Sequence, residues 1–245
     1  AVTTSSQNTA VGANALDAQT TGGNNTAIGY LAATSLTTGT SNTALGQSAL
    51  EGCVDGTNNV AIGYETGTAD WGNNNVGVGY RALKVNTASN NTAVGESAML
   101  TSTTATDCVA VGREALKRLT TGDDNTAIGT EAGKEITTGA RNTAVGYLSQ
   151  FTQTTGSDNT SMGESSLKLL TTGDSNTCIG RESGKNITTA SNNTAVGNEA
   201  LKLNTTGTRN TGVGSLALAQ TTTSDDNTAC GYQALTTNST GEKNS

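Results

Sequence analysis

The chain has 245 residues, of which 33% are apolar, 3% aromatic and 13% charged; its net charge is −7, and it contains one Phe, one Trp, no Pro and no His. So little apolar material cannot fill a thick globular core, yet disordered chains carry more charge and Pro than this one. The acidic balance disfavours nucleic acid, no apolar run is long enough for membrane insertion, and the absence of His removes the commonest general base and zinc ligand.

What remains is a periodic chain. From Asn8 onward the pentad Asn-Thr-Ala-aliphatic-Gly recurs fourteen times, its glycine running from Gly12 to Gly231. The step is 17 residues, except for 16-residue steps from Gly63 to Gly79 and from Gly79 to Gly95. A fixed period of this length is the signature of a repeat architecture. The expected organisation is a single array over 1–245: the end of a preceding repeat in 1–7, fourteen repeats in 8–243 and the start of another in 244–245. The chain opens partway through a repeat and shows no leader or lipidation signal, so it reads as a cut from a longer array.

Within one repeat, numbered from the Asn, the second position is Thr in eleven copies and Val in three, and the fourth is aliphatic, Met or Cys. Side chains alternate across a strand, so the second and fourth share a face, and that face is expected to point inward. The third position, usually Ala, and the invariant Gly would then form a smooth outer strip. Such a strip suits packing against another chain, with Ala27, Gly29, Ala61, Gly63, Ala144 and Gly146 as the interchain residues. A second short stretch follows at the eighth and ninth positions (Ala82-Leu83, Ala115-Leu116), then an aliphatic twelfth position in some copies (Leu36, Ile136, Leu170) and a Thr-Thr-Gly turn. Seventeen residues hold two short strands and two turns but no strand-plus-helix unit. The fold predicted is an all-β parallel β-solenoid of about fourteen 17-residue coils. At the usual strand spacing it forms a rod of roughly 67 Å. The Asn column at the first position, broken only by Cys108, would bond along the axis or simply reflect a turn preference.

Irregularities are the candidate functional marks. In TGTADWGNNN (66–75) the Thr-Thr-Gly is lost and the sole Trp, Trp71, appears, either as an exposed aromatic platform or as filler for a short coil. Tyr30, Tyr64, Tyr80, Tyr147 and Tyr232 follow the glycine and edge a groove; with Trp71 they are the candidate recognition residues. Glu and Lys at the seventh and tenth positions (Glu114/Lys117, Glu131/Lys134, Glu182/Lys185, Glu199/Lys202) should pair, each exposed pair contributing about 0.2–1 kcal/mol. Asp123-Asp124 and Asp225-Asp226 read as solvated turns rather than the cleft carboxylates of a glycosidase. Cys53, Cys108, Cys178 and Cys230 occupy four different repeat positions, which predicts no intrachain disulfide.

The pattern NTAVGYxALxxxTTGxx resembles the repeat of tail-fibre-like proteins of bacteriophages and bacteria, often found ahead of a self-cleaving trimerisation chaperone domain. Asn59-Val60-Ala61-Ile62-Gly63 and Cys108-Val109-Ala110-Val111-Gly112 resemble the head repeats of trimeric autotransporter adhesins. There a Ser-Val-Ala-Ile-Gly motif, in a shorter repeat, builds a left-handed β-roll within a homotrimer. The resemblance implies a homotrimeric fibre segment, extracellular as a virion tail fibre or cell-surface appendage, with a cell-surface glycan or protein as receptor. An alternative is a self-assembling filament subunit. A third reading is ice binding through the Thr columns at the thirteenth and fourteenth positions (Thr120-Thr121, Thr137-Thr138, Thr154-Thr155, Thr171-Thr172). Nothing in the sequence predicts catalysis, a cofactor or a metal, since the glycines are periodic and form no phosphate-binding cluster.

Overall fold

A computed structural model describes residues 6–244 as two compact units, 6–124 and 125–244. Residues 1–5 and 245, parts of the expected partial repeats, lie outside the described residues. The first unit contains β1 (Thr9–Val11), β2 (Thr26–Ile28), β3 (Thr43–Leu45), β4 (Val60–Ile62), β5 (Val76–Val78), β6 (Thr92–Val94) and β7 (Val109–Val111). The second contains β8 (Thr126–Ile128), β9 (Thr143–Val145), β10 (Thr160–Met162), β11 (Thr177–Ile179), β12 (Thr194–Val196), β13 (Thr211–Val213) and β14 (Thr228–Cys230).

Each strand occupies the second to fourth positions of a repeat, and within each unit successive strands pair in parallel and in register. Thr26 lies over Thr43 and Ala27 over Ala44 in the first unit; Thr143 lies over Thr160 and Ala144 over Ser161 in the second. The short steps cost no register, since Val60 pairs with Val76 and Val76 with Thr92. Each unit is therefore a parallel β-solenoid.

The expected second strand does not form. After the strand the backbone turns through left-handed residues at the seventh and ninth positions, such as Ser48 (φ 54°) and Leu50 (φ 56°), and again at the seventeenth, as at Ser41 (φ 58°). Val, Ile and Thr are absent from all three positions in every repeat. β-Branched side chains tolerate that conformation worst, whereas Asn and Asp, frequent at the seventeenth, tolerate it best. The fifth-position glycine has a different constraint: at Gly46 (φ 136°) an added Cβ would lie 2.6 Å from the carbonyl oxygen of Gly63 in the next coil. The arc is held by bonds to neighbouring coils instead of strand pairing, as in Leu50 N–H to Thr66 O (2.8 Å) and Thr37 N–H to Val54 O (2.8 Å).

These turns decide what fills the core. Leu at the ninth position swings inward with Ala at the eighth and the residue at the twelfth; Ala49, Leu50 and Cys53 are all fully buried. They leave room opposite for only a small third-position side chain. Ala27, Ala44, Ala61, Ala127 and Ala144 fill it and are 0–1% exposed. This reverses the facing expected from the sequence. Ala27, Ala61 and Ala144 line their own chain's core, while Gly29, Gly63 and Gly146 are half-buried against the backbone of the next coil, so none of the six forms a smooth outer strip.

The Asn column forms a ladder in each unit, broken in the first at Cys108. Asn25 Oδ1 accepts the backbone N–H (2.9 Å) and the Nδ2–H (3.1 Å) of Asn42, and Asn42 Nδ2 donates to Gly56 O (2.8 Å). The same triplet joins Asn142, Asn159 and Gly173 in the second unit. Each carboxamide is fully used, which is the condition for burying it without penalty. Asn244 takes its place on the ladder through Asn227 Oδ1.

Candidate functional site

The surface feature common to the coils is the outward face of the strands. It carries the second-position Thr or Val and the fourth-position aliphatic residue, which the sequence had placed inside. Ile28 and Leu45 in the first unit are 38% and 43% exposed, and Ile128 and Met162 in the second 42% and 43%. No charged residue occupies either column. In-register pairing sets the side chains of a column about 4.8 Å apart, with about 7 Å between the two columns. The hydroxyls of second-position residues such as Thr26, Thr43, Thr160 and Thr177 have no hydrogen-bond partner among the described residues. An ordered, uncharged, half-apolar array of this kind is a surface suited to close contact with a matching regular surface.

The thirteenth-position Thr column behaves differently. Thr37 Oγ1 donates to Val54 O (3.0 Å), and Thr154 and Thr171 donate to Thr171 O (3.2 Å) and Thr188 O (2.9 Å). Those hydroxyls bind successive coils together and are committed as donors.

Tyrosines border the strand face at the sixth position, and all five are exposed, from Tyr64 at 38% to Tyr232 at 71%. Tyr64 and Tyr80 stack at 5.5 Å between centroids, and the Arg81 guanidinium lies 4.8 Å over the Tyr80 ring. Beside them Glu65 meets Lys84 at 2.6 Å and Arg81 at 2.9 Å. Lys84, a Tyr64 hydrogen bond and Arg81 together pull the Glu65 carboxyl down to about 2, and hydrogen bonding to Glu65 in turn pushes the Tyr64 phenol up.

Trp71 is no exposed platform. It is 1% exposed, and its indole fills the space left by Gly67 at a ninth position and Gly77 at a third, where an added Cβ would lie 2.6 and 2.7 Å from the ring. Its Nε1–H donates to Leu83 O (2.9 Å). The filler reading of Trp71 is the one the geometry bears out.

The charged pairs form as expected: Lys117–Glu114 at 2.8 Å, Lys134–Glu131 at 3.6 Å, Lys185–Glu182 at 3.0 Å and Lys202–Glu199 at 3.1 Å. Sequence spacing did not reveal the bond between coils from Lys202 to Glu182 (2.7 Å). Asp123 and Asp225 accept the backbone N–H of Thr106 and Thr208, both at 2.7 Å, and Asp226 pairs with Arg209 at 2.6 Å. The aspartates thus bridge turns of neighbouring coils. All four cysteines are free thiols; Cys53, Cys108 and Cys178 are buried and Cys230 is exposed on the strand face. Burial pushes the Cys53 thiol up to about 12 and raises that of Cys178 further still.

The comparisons return nothing: no protein-family model, curated protein or solved structure matches the chain. The outward facing of the strands was legible in one signal the sequence reading passed over. The third position admits only Ala, Gly, Ser or Cys, whereas the fourth varies from Val to Met. A position restricted to small residues marks the tight inside of a thin coil.

Proposed function

We propose that this chain is a structural and adhesive fibre segment, a rod of left-handed coils that associates as a homotrimer in a virion tail fibre or cell-surface appendage. Its work is spacing and multivalent surface binding, in which three chains multiply a modest affinity. The observation that carries the reading is the strand face: an uncharged column of exposed aliphatic side chains repeated coil after coil in both units. Apolar strips of that regularity are seldom left in water, and closed symmetry covers them without open-ended aggregation. The resemblance of the repeat to phage tail-fibre and trimeric adhesin repeats points the same way.

Mass in solution tests it. Light scattering should give three times the chain mass, and Leu45→Lys combined with Met162→Lys should give the single-chain mass with an unchanged far-UV circular dichroism spectrum. A wild-type chain that stays single at micromolar concentration overturns the reading. Long polymers in negative stain would turn it toward an end-to-end filament.

The unpartnered Thr hydroxyls on the strand face favour a second reading, ice binding by that face, in place of the thirteenth-position columns whose donors are engaged. It requires the face to be free of partner chains. A single-chain mass together with thermal hysteresis would establish it, and an absence of hysteresis dismisses it.

A further inference from the structure

In the second unit three of the seven coils carry a long Glu–Lys pair at the seventh and tenth positions, at Glu131/Lys134, Glu182/Lys185 and Glu199/Lys202. Glu182/Lys185 and Glu199/Lys202 form such pairs, cross-linked by Lys202 to Glu182. One coil later the same positions hold Leu216 and Ala219, and in the coil after that Gln233 and Thr236. With two long charged side chains missing, a groove of about 360 Å³ opens over this stretch. That volume lies within the range of roughly 300–1,000 Å³ typical of small-molecule sites.

The lining has a definite polarity. Leu216 is half-buried and Ala219 only 6% exposed, so with Leu203 they form an aliphatic bed. Gln220 and Gln233 stand exposed at its edge, and their carboxamides have no hydrogen-bond partner among the described residues. On the other side Glu199 and Lys202 neutralise one another: the Lys202 ammonium meets Glu182 (2.7 Å) and Glu199 (3.1 Å), and Glu199 also meets Arg181 (3.1 Å). A charged ligand would have to break these pairs, so the groove suits a neutral one. Two free carboxamides supply both donors and acceptors beside the aliphatic bed. The matching ligand has one apolar face and a perimeter of hydroxyls.

We infer that this groove is a pyranose subsite. It takes one neutral sugar ring, whose C–H face lies on Leu203, Leu216 and Ala219 while ring hydroxyls bond Gln220 and Gln233. An alkyl chain would use the bed but leave both carboxamides without a role. The inference rests on the adhesive half of the proposed function and assigns that binding to a place and a ligand class.

Saturation-transfer difference NMR with methyl α-D-mannopyranoside, methyl β-D-galactopyranoside and methyl β-D-glucopyranoside tests it on the whole chain. At least one should show transfer to its ring C–H protons with millimolar affinity. The double variant L216E/A219K rebuilds the charged pair of the preceding coil and fills the groove, so the fold is retained by construction. It should weaken binding at least about tenfold. The exposed change Gln233→Ala should weaken it less while leaving the circular dichroism spectrum unaltered. No transfer from any of the three pyranosides, transfer undiminished in both variants, or transfer only from octan-1-ol overturns the subsite. Mass in solution, measured on the same samples, reports on the fibre reading separately; an unchanged mass with no sugar transfer removes the subsite alone.

Discussion

Two coils depart from the common core in different ways. In the first unit, coil 59–74 is one residue short and has Gly67 where most coils place Leu, and Trp71 occupies the vacancy with its N–H satisfied by Leu83 O. In the second, coil 142–158 keeps its full length but puts Gln150 and Gln153 at the ninth and twelfth positions, both fully buried. Their amide nitrogens find carbonyls, Gln150 at Thr143 O (3.1 Å) and Gln153 at Gly156 O (2.5 Å), while neither Oε1 has a partner. A thin core thus tolerates a change of size when the volume and the polar atoms are both accounted for. It carries a standing cost when an oxygen is left over.

Asn204 shows how close the second case comes to balance. At the same twelfth position, its Nδ2 donates to Gly207 O (2.8 Å) and its Oδ1 accepts Gly207 N–H (2.9 Å). One methylene longer, Gln153 reaches the turn carbonyl but not the turn N–H.

The comparison can be broken most decisively at Trp71. Trp71→Ala empties a space lined by glycines that no neighbour fills, and is expected to cost about 3–5 kcal/mol in urea denaturation. A loss under about 1 kcal/mol would mean that the coil collapses around the gap and that the ring is not its filler. The second test sharpens the other side. Gln153→Leu removes an unpartnered oxygen and restores the aliphatic residue seen at Leu170, and Gly156 O keeps its bond from Asn142 Nδ2 (2.9 Å). The variant should be more stable by about 1 kcal/mol, and a less stable one would show that the carboxamide is satisfied in solution.

The smallest effect should be common to both units. Glu65 in the first is held down to about 2 chiefly by Lys84, and Glu182 in the second to about 2 chiefly by Lys202 and then Lys185. An unfolded Glu titrates near about 4.3, so the folded chain binds these protons more weakly than the unfolded one. Their stabilisation is complete above about pH 4.3 and fades as pH falls toward about 2. The melting temperature should therefore decline in that window, and Glu65→Gln and Glu182→Gln should each flatten part of the decline. A flat profile in the wild-type chain would remove these pairs from the account.

Much of the architecture was legible in the residues. The pentad period gave the stacked parallel coils and the spacing of Glu114 and Lys117 gave the ion pairs, while the Asn column read equally as an axial ladder or as a turn preference. The facing of the strands was not legible from alternation, because a period of two separates two faces without saying which is inside. What settles it is the arc opposite. Leu50, held in a left-handed conformation, brings the bulk, so the strand can contribute only Ala44. The groove had a visible mark, Leu216 and Ala219 in place of Glu and Lys, but its depth depends on side chains from three successive coils. No single repeat displays it.

In the ladder the side-chain carbonyl oxygens face one way, each accepting from the residue that opens the following coil. Asn25 Oδ1 accepts both the backbone N–H and the Nδ2–H of Asn42, the first residue of the following coil. Each finished coil therefore presents a ready acceptor to the segment emerging after it. Since neighbouring repeats supply most of the stabilisation in such arrays, order within a unit can advance in the direction of translation, one docking at a time.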